Sequence, residues 1–364
     1  MKPFSSERTF FMGANTPGGF IGDPAALYDG DAGWRAYFIK SGPGTGKSSL
    51  MRRVAERMSE AGHAVEVLIC SSDPDSLDGV WMPDVRTCVI DATAPHAAEP
   101  SCYGAVETVV SLGDALRTNE VRAARENILH CQRENAEAHR RVRRYMGAAA
   151  ALMADSARLA SEGLDRGKVI RAAERLAARE LADPPKSPDE RFVGIQRRFL
   201  TAVTPQGIQT LFSTALSMCP RVFVLDDEHG VAAPLFLQTV RTKAAARGVP
   251  LYECPSPLFP DKLDHLLLPT LGVAILTSNR LHKVDFPVYR HIHAARFTDA
   301  EALTRHKNRL GFNRRSAKQL LDEAVAASAL AKSWHDRLEA PYIAAMDFDA
   351  VAGIEARLMS DLLR

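Results

Sequence analysis

The 364-residue sequence is poor in cysteine, has no excess of charge of one sign and contains no long apolar run. Its 6 cysteines are scattered without a Cys-x-x-Cys pair, which argues against a disulfide framework or a zinc site and favours a reducing compartment. A net charge of +2 argues against a protein that coats polyanions. No segment approaches the ~18 apolar residues of a membrane span, and no signal-peptide core follows residues 1–8. We therefore expect a cytoplasmic protein without membrane association and, at ~150 residues per domain, with two or three domains.

The strongest motif is a glycine-rich loop between a strand pattern and a helical pattern. Residues 36–39 read Ala-Tyr-Phe-Ile, and the segment that begins at Leu50 has helical spacing. This context indicates a P-loop, in which backbone N–H groups wrap around phosphate oxygens at the N-terminus of a helix. The residues expected to bind the nucleotide are Gly42, Pro43, Gly44, Thr45, Gly46, Lys47, Ser48 and Ser49.

Two side chains of this loop have specific predicted roles. Lys47 is expected to reach the β- and γ-phosphates, and the Ser48 hydroxyl is expected to ligate Mg²⁺. Ser41 stands where the motif normally has its first glycine, and a small serine can follow this turn at some cost in strain. The predicted ligands are a nucleoside triphosphate and Mg²⁺, and the lack of an Asn-Lys-x-Asp motif favours ATP over GTP.

Regular spacings predict that the chain contains an internal repeat. A Thr-Pro-x-Gly sequence opens each half, and His96 follows Pro83 at the same distance at which His282 follows Pro269. We interpret the chain as a duplicated α/β unit. The predicted fold is two tandem P-loop NTPase-like units with Rossmann-type parallel sheets, each followed by a helical segment.

Composition places the boundaries between these parts. The segments that follow each α/β unit are rich in Ala, Arg and Glu, and a proline-rich stretch separates the two halves as a linker. The predicted organisation is a P-loop NTPase domain at 1–118, a helical segment at 119–182, a linker at 183–190, a degenerate P-loop NTPase-like domain at 191–297 and a C-terminal helical segment at 298–364.

The second half is predicted to lack a phosphate site. In place of the glycine-rich loop it has three acidic residues at 226–228 and no nearby lysine, and three adjacent acids repel phosphate. A competing interpretation takes the apolar run at 222–225 as the Walker B strand of a single, interrupted NTPase domain. Asp227 would then ligate Mg²⁺ and Glu228 would be the general base.

Further acidic residues are candidates for the metal site and for positioning water. Asp91 ends an apolar strand pattern and is the candidate second Mg²⁺ ligand, although it could instead cap a turn. Asp73 and Asp75 follow the preceding strand at the edge of the sheet where ligands bind, and have no acidic equivalents in the second half. Asp78 recurs as Asp264, which suggests a structural role in a turn. The predicted catalytic residues are Lys47, Asp73, Asp75 and Asp91, with no general base assigned.

Arginine-rich clusters at 140–144 and 305–315 leave the choice of partner open. They could form a surface for nucleic acid or an acidic partner, but a solvated helix face balanced by nearby glutamates explains them more simply. No aromatic stacking pattern accompanies them. An unidentified protein or small molecule is the expected partner, with nucleic acid not excluded.

The chain resembles an uncharacterised family of bacterial and archaeal ATP-binding proteins with tandem P-loop NTPase domains. The resemblance rests on the segments 42–48, 70–80 and 91–96, and weaker similarities extend it over nearly the whole chain. It implies ATP binding without implying a substrate. In that family the second half can carry its own Gly-Lys-Ser/Thr loop, which this sequence lacks.

Three functions are compatible with these residues. The first is a Mg²⁺-dependent ATPase with one active and one degenerate half. The second is a small-molecule or nucleotide kinase, with the segment 73–78 holding an acceptor hydroxyl. The third is a nucleotide-gated regulatory module whose slow turnover switches its partners.

Overall fold

The computed structural model describes residues 8–94, 97–181, 194–279 and 281–363, so the predicted linker at 183–190 and His96 lie outside the described residues. The chain divides into two compact units. Unit 1 comprises Met1–Ala14, Phe20–Arg141 and Ala326–Arg364, and unit 2 comprises Asn15–Gly19 and Val142–Val325. Each unit therefore contains segments from both halves of the chain.

The strands and helices alternate along the chain in two similar series. The strands of the first half are β1 (Thr9–Phe11), β2 (Gly13–Thr16), β3 (Gly19–Gly22), β4 (Arg35–Lys40), β5 (Glu66–Ile69), β6 (Leu77–Met82), β7 (Thr87–Asp91) and β8 (Glu107–Ser111). Those of the second half are β9 (Ile195–Arg197), β10 (Thr201–Thr204), β11 (Gly207–Thr210), β12 (Arg221–Asp226), β13 (Leu251–Pro255), β14 (Leu263–Leu268), β15 (Val273–Ser278) and β16 (Arg290–His293). The helices are α1 (Lys47–Glu60), α2 (Thr118–Ala123), α3 (Arg125–Ser161), α4 (Arg166–Glu180), α5 (Phe212–Met218), α6 (Ala233–Ala245), α7 (Ala300–Arg305), α8 (Lys307–Ala345) and α9 (Phe348–Leu362).

The two six-stranded sheets have the same strand order. The first runs β1-β5-β6-β7-β4-β8, and the second runs β9-β13-β14-β15-β12-β16. Equivalent strands also share their register, since Ile39 pairs with Asp91 in the first sheet and Leu225 with Thr277 in the second. The α/β class and the presence of two similar α/β units, each followed by helices, are thus confirmed.

The sheets are mixed, so the prediction of parallel sheets is wrong for β6 and β14. β6 is antiparallel to both β5 and β7, and β14 is antiparallel to β13 and β15. The reason is the short connections on either side of these strands, which join antiparallel neighbours, whereas parallel strands need a long crossover. Asp78 and Asp264, expected in turns, lie instead within β6 and β14.

The same topology overturns the interpretation of a single interrupted domain. The P-loop strand β4 lies between β7 and β8, whereas β12, the proposed Walker B strand, lies between β15 and β16 in the other sheet. β12 is therefore the counterpart of β4, at an offset of 186 residues that also relates Pro83 to Pro269 (269 − 83).

The last helix of each half of the chain packs in the compact unit that contains the six-stranded sheet of the other half. In unit 1, α9 buries Val351, Leu358 and Met359 in the same cluster as Leu50 and Val54 of α1. In unit 2, α4 packs against α6 through residues that include Val169, Ala173 and Leu176. Among the described helices, none has a stretch long and apolar enough to cross a membrane.

Equivalent aspartates cap these two exchanged helices. The Asp165 side chain accepts the backbone N–H of Lys168 at the start of α4, and the Asp347 side chain accepts two backbone N–H groups at the start of α9. An N-cap carboxylate satisfies backbone donors that have no partner within the helix. The repeat thus extends beyond the sheets into the helical segments.

Candidate functional site

The glycine-rich loop connects β4 to α1 at the carboxyl end of a central, buried strand. Gly44 and Gly46 have φ values of +69° and +92°, a region that glycine adopts without the steric cost that other residues incur. Gly46 is the N-cap of α1, and within the described residues no side chain caps the helix there. The first backbone N–H groups of α1 are therefore oriented as in an anion-binding helix terminus.

Lys47 and Asp91 are brought together at this loop. The Lys47 ammonium donates to the carbonyl oxygen of Gly42 at 2.7 Å and lies 3.6 Å from Oδ2 of Asp91. Burial raises the pKa of Asp91, and Lys47 and the hydrogen bonds from Thr93 oppose that rise. Asp91 accepts both the backbone N–H and the hydroxyl of Thr93, which fixes the orientation of its carboxylate. β7 ends at Asp91, as the sequence predicts, and pairs with β4. The bond from the Thr93 N–H shows that Asp91 also caps the turn after the strand, the alternative role that the sequence leaves open.

The hydroxyls of the loop are held by backbone groups. Thr45 is buried and donates from Oγ1 to the carbonyl oxygen of Gly42 at 2.8 Å. The Ser48 Oγ accepts the backbone N–H of Leu77, at the start of β6, at 2.9 Å. This contact leaves the Ser48 oxygen one further lone pair for a ligand. The Ser41 hydroxyl is buried and has no hydrogen-bond partner among the described residues.

Asp73 and Asp75 make different contacts from Lys47 and Asp91. Asp73 accepts the Ser76 hydroxyl at 2.8 Å, and its Oδ2 lies 3.6 Å from the ammonium of Lys332 in α8. The backbone carbonyl of Asp75 accepts a hydrogen bond from Arg52 of α1 at 2.9 Å, and Asp75 is exposed. The structure thus connects this acidic loop to α1 and α8 rather than to the Lys47–Asp91 pair.

The C-terminal turns of α8 lie against the glycine-rich loop, a contact that sequence analysis missed. A Cβ atom at Gly42 would lie 2.7 Å from the Tyr342 ring, and one at Gly44 would lie 2.8 Å from Ile343 and 2.9 Å from Cβ of Glu339. The pKa of Glu339 is lowered, mainly by a hydrogen bond with His335, and the backbone N–H of Gly44 adds a small effect in the same direction. The glycines therefore permit the close approach of a helix as well as the backbone conformation of the loop.

In the second half a carboxylate occupies the corresponding helix terminus. Asp227 is 2% exposed, and its Oδ2 accepts the backbone N–H groups of Ala232 and Ala233 at 2.8 and 2.7 Å. By the offset of the repeat these amides correspond to those of Gly46 and Lys47. The second loop thus supplies, from its own Asp227, the hydrogen-bond acceptor for the N-terminus of the helix that follows it.

The described residues hold no cluster of three or more His, Cys, Asp or Glu side chains suited to a metal ion. No protein-family model, curated protein or solved structure matches this chain.

Proposed function

We propose that unit 1 binds ATP at the glycine-rich loop 41–49 and that the protein is a Mg²⁺-dependent ATPase with one active and one degenerate half. The observation that supports this proposal best is the Lys47 ammonium, which lies over the loop between the Gly42 carbonyl and the Asp91 carboxylate. A lysine at this place is positioned to exchange its carbonyl partner for a phosphate oxygen when a nucleotide binds.

The oxygen donors next to Lys47 suit Mg²⁺. The Ser48 hydroxyl and the Asp91 carboxylate are hard oxygen ligands of the kind that Mg²⁺ prefers. The unpartnered, buried hydroxyl of Ser41 is a further polar group that a ligand at this loop can satisfy. Bound Mg²⁺ would neutralise negative charge on the phosphates.

The residues of the chain would act mainly by position and charge. The backbone N–H groups of the loop and the N-terminus of α1 would bind the phosphates. Lys47 would neutralise charge as the terminal phosphoryl group departs, and Asp91, held by Thr93, would orient the metal. The second half would support this unit without binding nucleotide, since Asp227 already occupies its helix terminus.

A nucleotide-gated regulatory module is the second candidate function. The observation that favours it is the contact between α8 and the loop, because a ligand at the loop would act directly on a long helix. The two functions differ in turnover rather than in binding.

The test is the Lys47→Ala variant, measured by titration of ATP with and without Mg²⁺. Removing a charge-assisted contact to phosphate should weaken binding roughly 10- to 100-fold. Lys243→Ala is the matched control, because Lys243 lies on α6 of the other unit and pairs with Glu174. Equal ATP affinity of the Lys47→Ala variant and the unaltered protein would refute the site.

Turnover then separates the functions. Phosphate release without an added acceptor would indicate the ATPase, and ADP formation that depends on an acceptor would indicate a kinase. ATP binding with neither activity would indicate the gated module.

A further inference from the structure

Two large apolar side chains are exposed beside the glycine-rich loop, at the junction between α8 and α9. They are Ile343, which is 46% exposed, and Phe348, which is 49% exposed, and together we call them the apolar pair. A Cβ atom at Gly44 would lie 2.8 Å from Cγ1 of Ile343. One at Gly46, the N-cap of α1, would lie 3.7 Å from Cε1 of Phe348. The apolar pair therefore lies next to the part of the loop that leads into α1.

Hydrogen bonds hold the junction that carries the apolar pair. Asp347 donates its backbone N–H to the carbonyl oxygen of Ala115 at 2.9 Å, and Arg117 donates its backbone N–H to that of Ala345 at 2.9 Å. The Arg117 guanidinium adds a bond of 2.6 Å to the carbonyl oxygen of Ala344 at the end of α8. These partners follow β8, the strand next to the loop strand β4. The apolar pair is thus preorganised, which lowers the cost of binding a ligand there.

The second half contains the same junction, between α3 and α4. There the backbone N–H of Asp165 donates to the carbonyl oxygen of Phe297, and that of Asp299 donates to the carbonyl oxygen of Gly163. These bonds match the two backbone bonds of the α8–α9 junction at an offset of 182 residues (347 − 165 and 299 − 117). The two junctions can therefore be compared residue by residue.

Of the two junctions, only the one beside the glycine-rich loop carries the apolar pair. The same offset relates Ile343 to Ser161 and Phe348 to Arg166, so the second half has a small polar and a charged residue at these positions. The loop of that half has three acidic residues at 226–228 in place of the glycine-rich motif. A role in building the junction would apply to both halves, so it does not explain why the apolar pair accompanies the glycine-rich loop.

A nucleotide has an aromatic base close to its phosphates. The base is joined to the first phosphate through a single ribose, so it must lie near any loop that binds the phosphates. An exposed aromatic side chain can stack on the base, and stacking needs no hydrogen-bond partner on the base. Apolar side chains next to a few polar groups are also the usual lining of a small-molecule site. The chemistry of the apolar pair therefore fits the base of a nucleotide.

We propose that the apolar pair is the platform for the base: the base of ATP packs against the Phe348 ring and the Ile343 side chain while the glycine-rich loop holds the phosphates. This inference rests on the proposed function, since it needs a nucleotide at the same loop. It makes the α8–α9 junction part of the nucleotide site.

The experiment measures the affinity of the full chain for ATP and for inorganic tripolyphosphate, both with Mg²⁺, by calorimetric titration. Tripolyphosphate has the phosphate chain of ATP without the ribose and the base. Phe348→Ala should weaken ATP binding by about 10-fold through the loss of base stacking and should leave tripolyphosphate binding unchanged. Phe348→Tyr keeps an aromatic ring and should keep the affinity for ATP. Phe312→Ala is the matched control, because Phe312 is 56% exposed on α8 in the other unit.

A tryptophan at the same position reports the base directly. In the Phe348→Trp variant, saturating ATP should change the tryptophan emission, measured as the difference from the unaltered protein. Saturating tripolyphosphate should not change this difference, because it brings no ring to the platform. An emission difference that ATP leaves unchanged would refute the stacking.

The outcomes separate the platform from the ATP site. If the unaltered protein binds ATP and Phe348→Ala binds it equally well, or if Phe348→Ala loses ATP and tripolyphosphate to the same extent, the platform is refuted and the site at the loop stands. If the unaltered protein binds neither compound, the proposed function fails and the platform fails with it. If Phe348→Ala keeps its ATP affinity but abolishes self-association, the apolar pair is an interface between copies and the platform is likewise refuted.

Discussion

Replacing Asp227 with alanine should destabilise unit 2 because the helix terminus at α6 depends on one buried carboxylate. A single oxygen of Asp227 accepts two backbone N–H groups, at 2.8 and 2.7 Å, and the side chain is almost fully buried. The alanine variant leaves both amides without an acceptor and removes the negative charge that the helix N-terminus favours.

The expected loss can be worked from these contacts. Hydrogen bonds to a charged group contribute about 1.5–3 kcal/mol each, and removal of an N-cap costs about 0.5–2 kcal/mol, partly for the same interaction. We expect Asp227→Ala to lower the free energy of unfolding by about 2–4 kcal/mol. For a unit of this size that corresponds to a fall in Tm of roughly 4–15 °C. Asp227→Asn keeps an acceptor oxygen without the charge and should cost about half as much.

The assay is urea unfolding followed by circular dichroism, with hydrogen exchange of the Ala232 and Ala233 amides as the local measurement. The neighbouring Asp226→Ala variant is the control, because Asp226 is one-third exposed and pairs with His291 and His293 at the surface. An exposed pair of this kind contributes about 0–1 kcal/mol. If Asp227→Ala and Asp226→Ala lower stability equally, the capping role of Asp227 is refuted.

Two further predictions concern buried titratable groups of unit 2, and they have opposite signs. Burial lowers the pKa of His282 to about 3. Its contribution to stability is therefore complete above the unfolded pKa of about 6.5 and is lost as the pH falls towards 3. Between pH 7 and pH 4.5 the His282→Phe variant should lose about 2–3 kcal/mol less unfolding free energy than the unaltered protein. Burial raises the pKa of Asp264 to about 7, so its contribution is complete below about 3.8 and is lost as the pH rises through 7. Asp264→Asn should therefore be about 3–4 kcal/mol more stable than the unaltered protein at pH 8 and similar to it at pH 3.5, by urea unfolding. A uniform effect of either substitution across the pH range would contradict these assignments.

Local patterns in the sequence were enough to predict the repeat and the glycine-rich loop. The strand and helix patterns that flank the glycine-rich loop are next to it in the sequence. The strand that ends at Asp91 is predicted because an apolar run followed by an acid is visible without knowing the fold. The pairing of Asp91 with Lys47 follows from the parallel β4–β7 register. In contrast, the apolar pattern of β6 does not show its direction, because an apolar strand buried on both faces looks alike in either orientation. Only the short connections on either side of β6 indicate that it runs antiparallel to its neighbours.

The contacts of α8 could not be predicted for a different reason. The helical spacing of Lys332, His335 and Glu339 shows that they share a face, but the spacing does not identify the element which that face contacts. Lys332 lies near Asp73 and Glu339 packs against Gly44, both more than 250 residues earlier in the chain. Long-range packing of this kind is set by the tertiary fold and leaves no periodic signal.

The exchange of terminal helices between the two halves sets an order of events during synthesis. The hydrophobic cluster around α1 includes residues of α9, which is the last helix of the described chain. Although its loop is translated near the start, unit 1 cannot complete its core until α9 has left the ribosome, a delay of tens of seconds at about 5–20 residues per second. Unit 2 draws its exchanged helix, α4, from residues already made, and so it can finish folding first. The site encoded first is therefore assembled last.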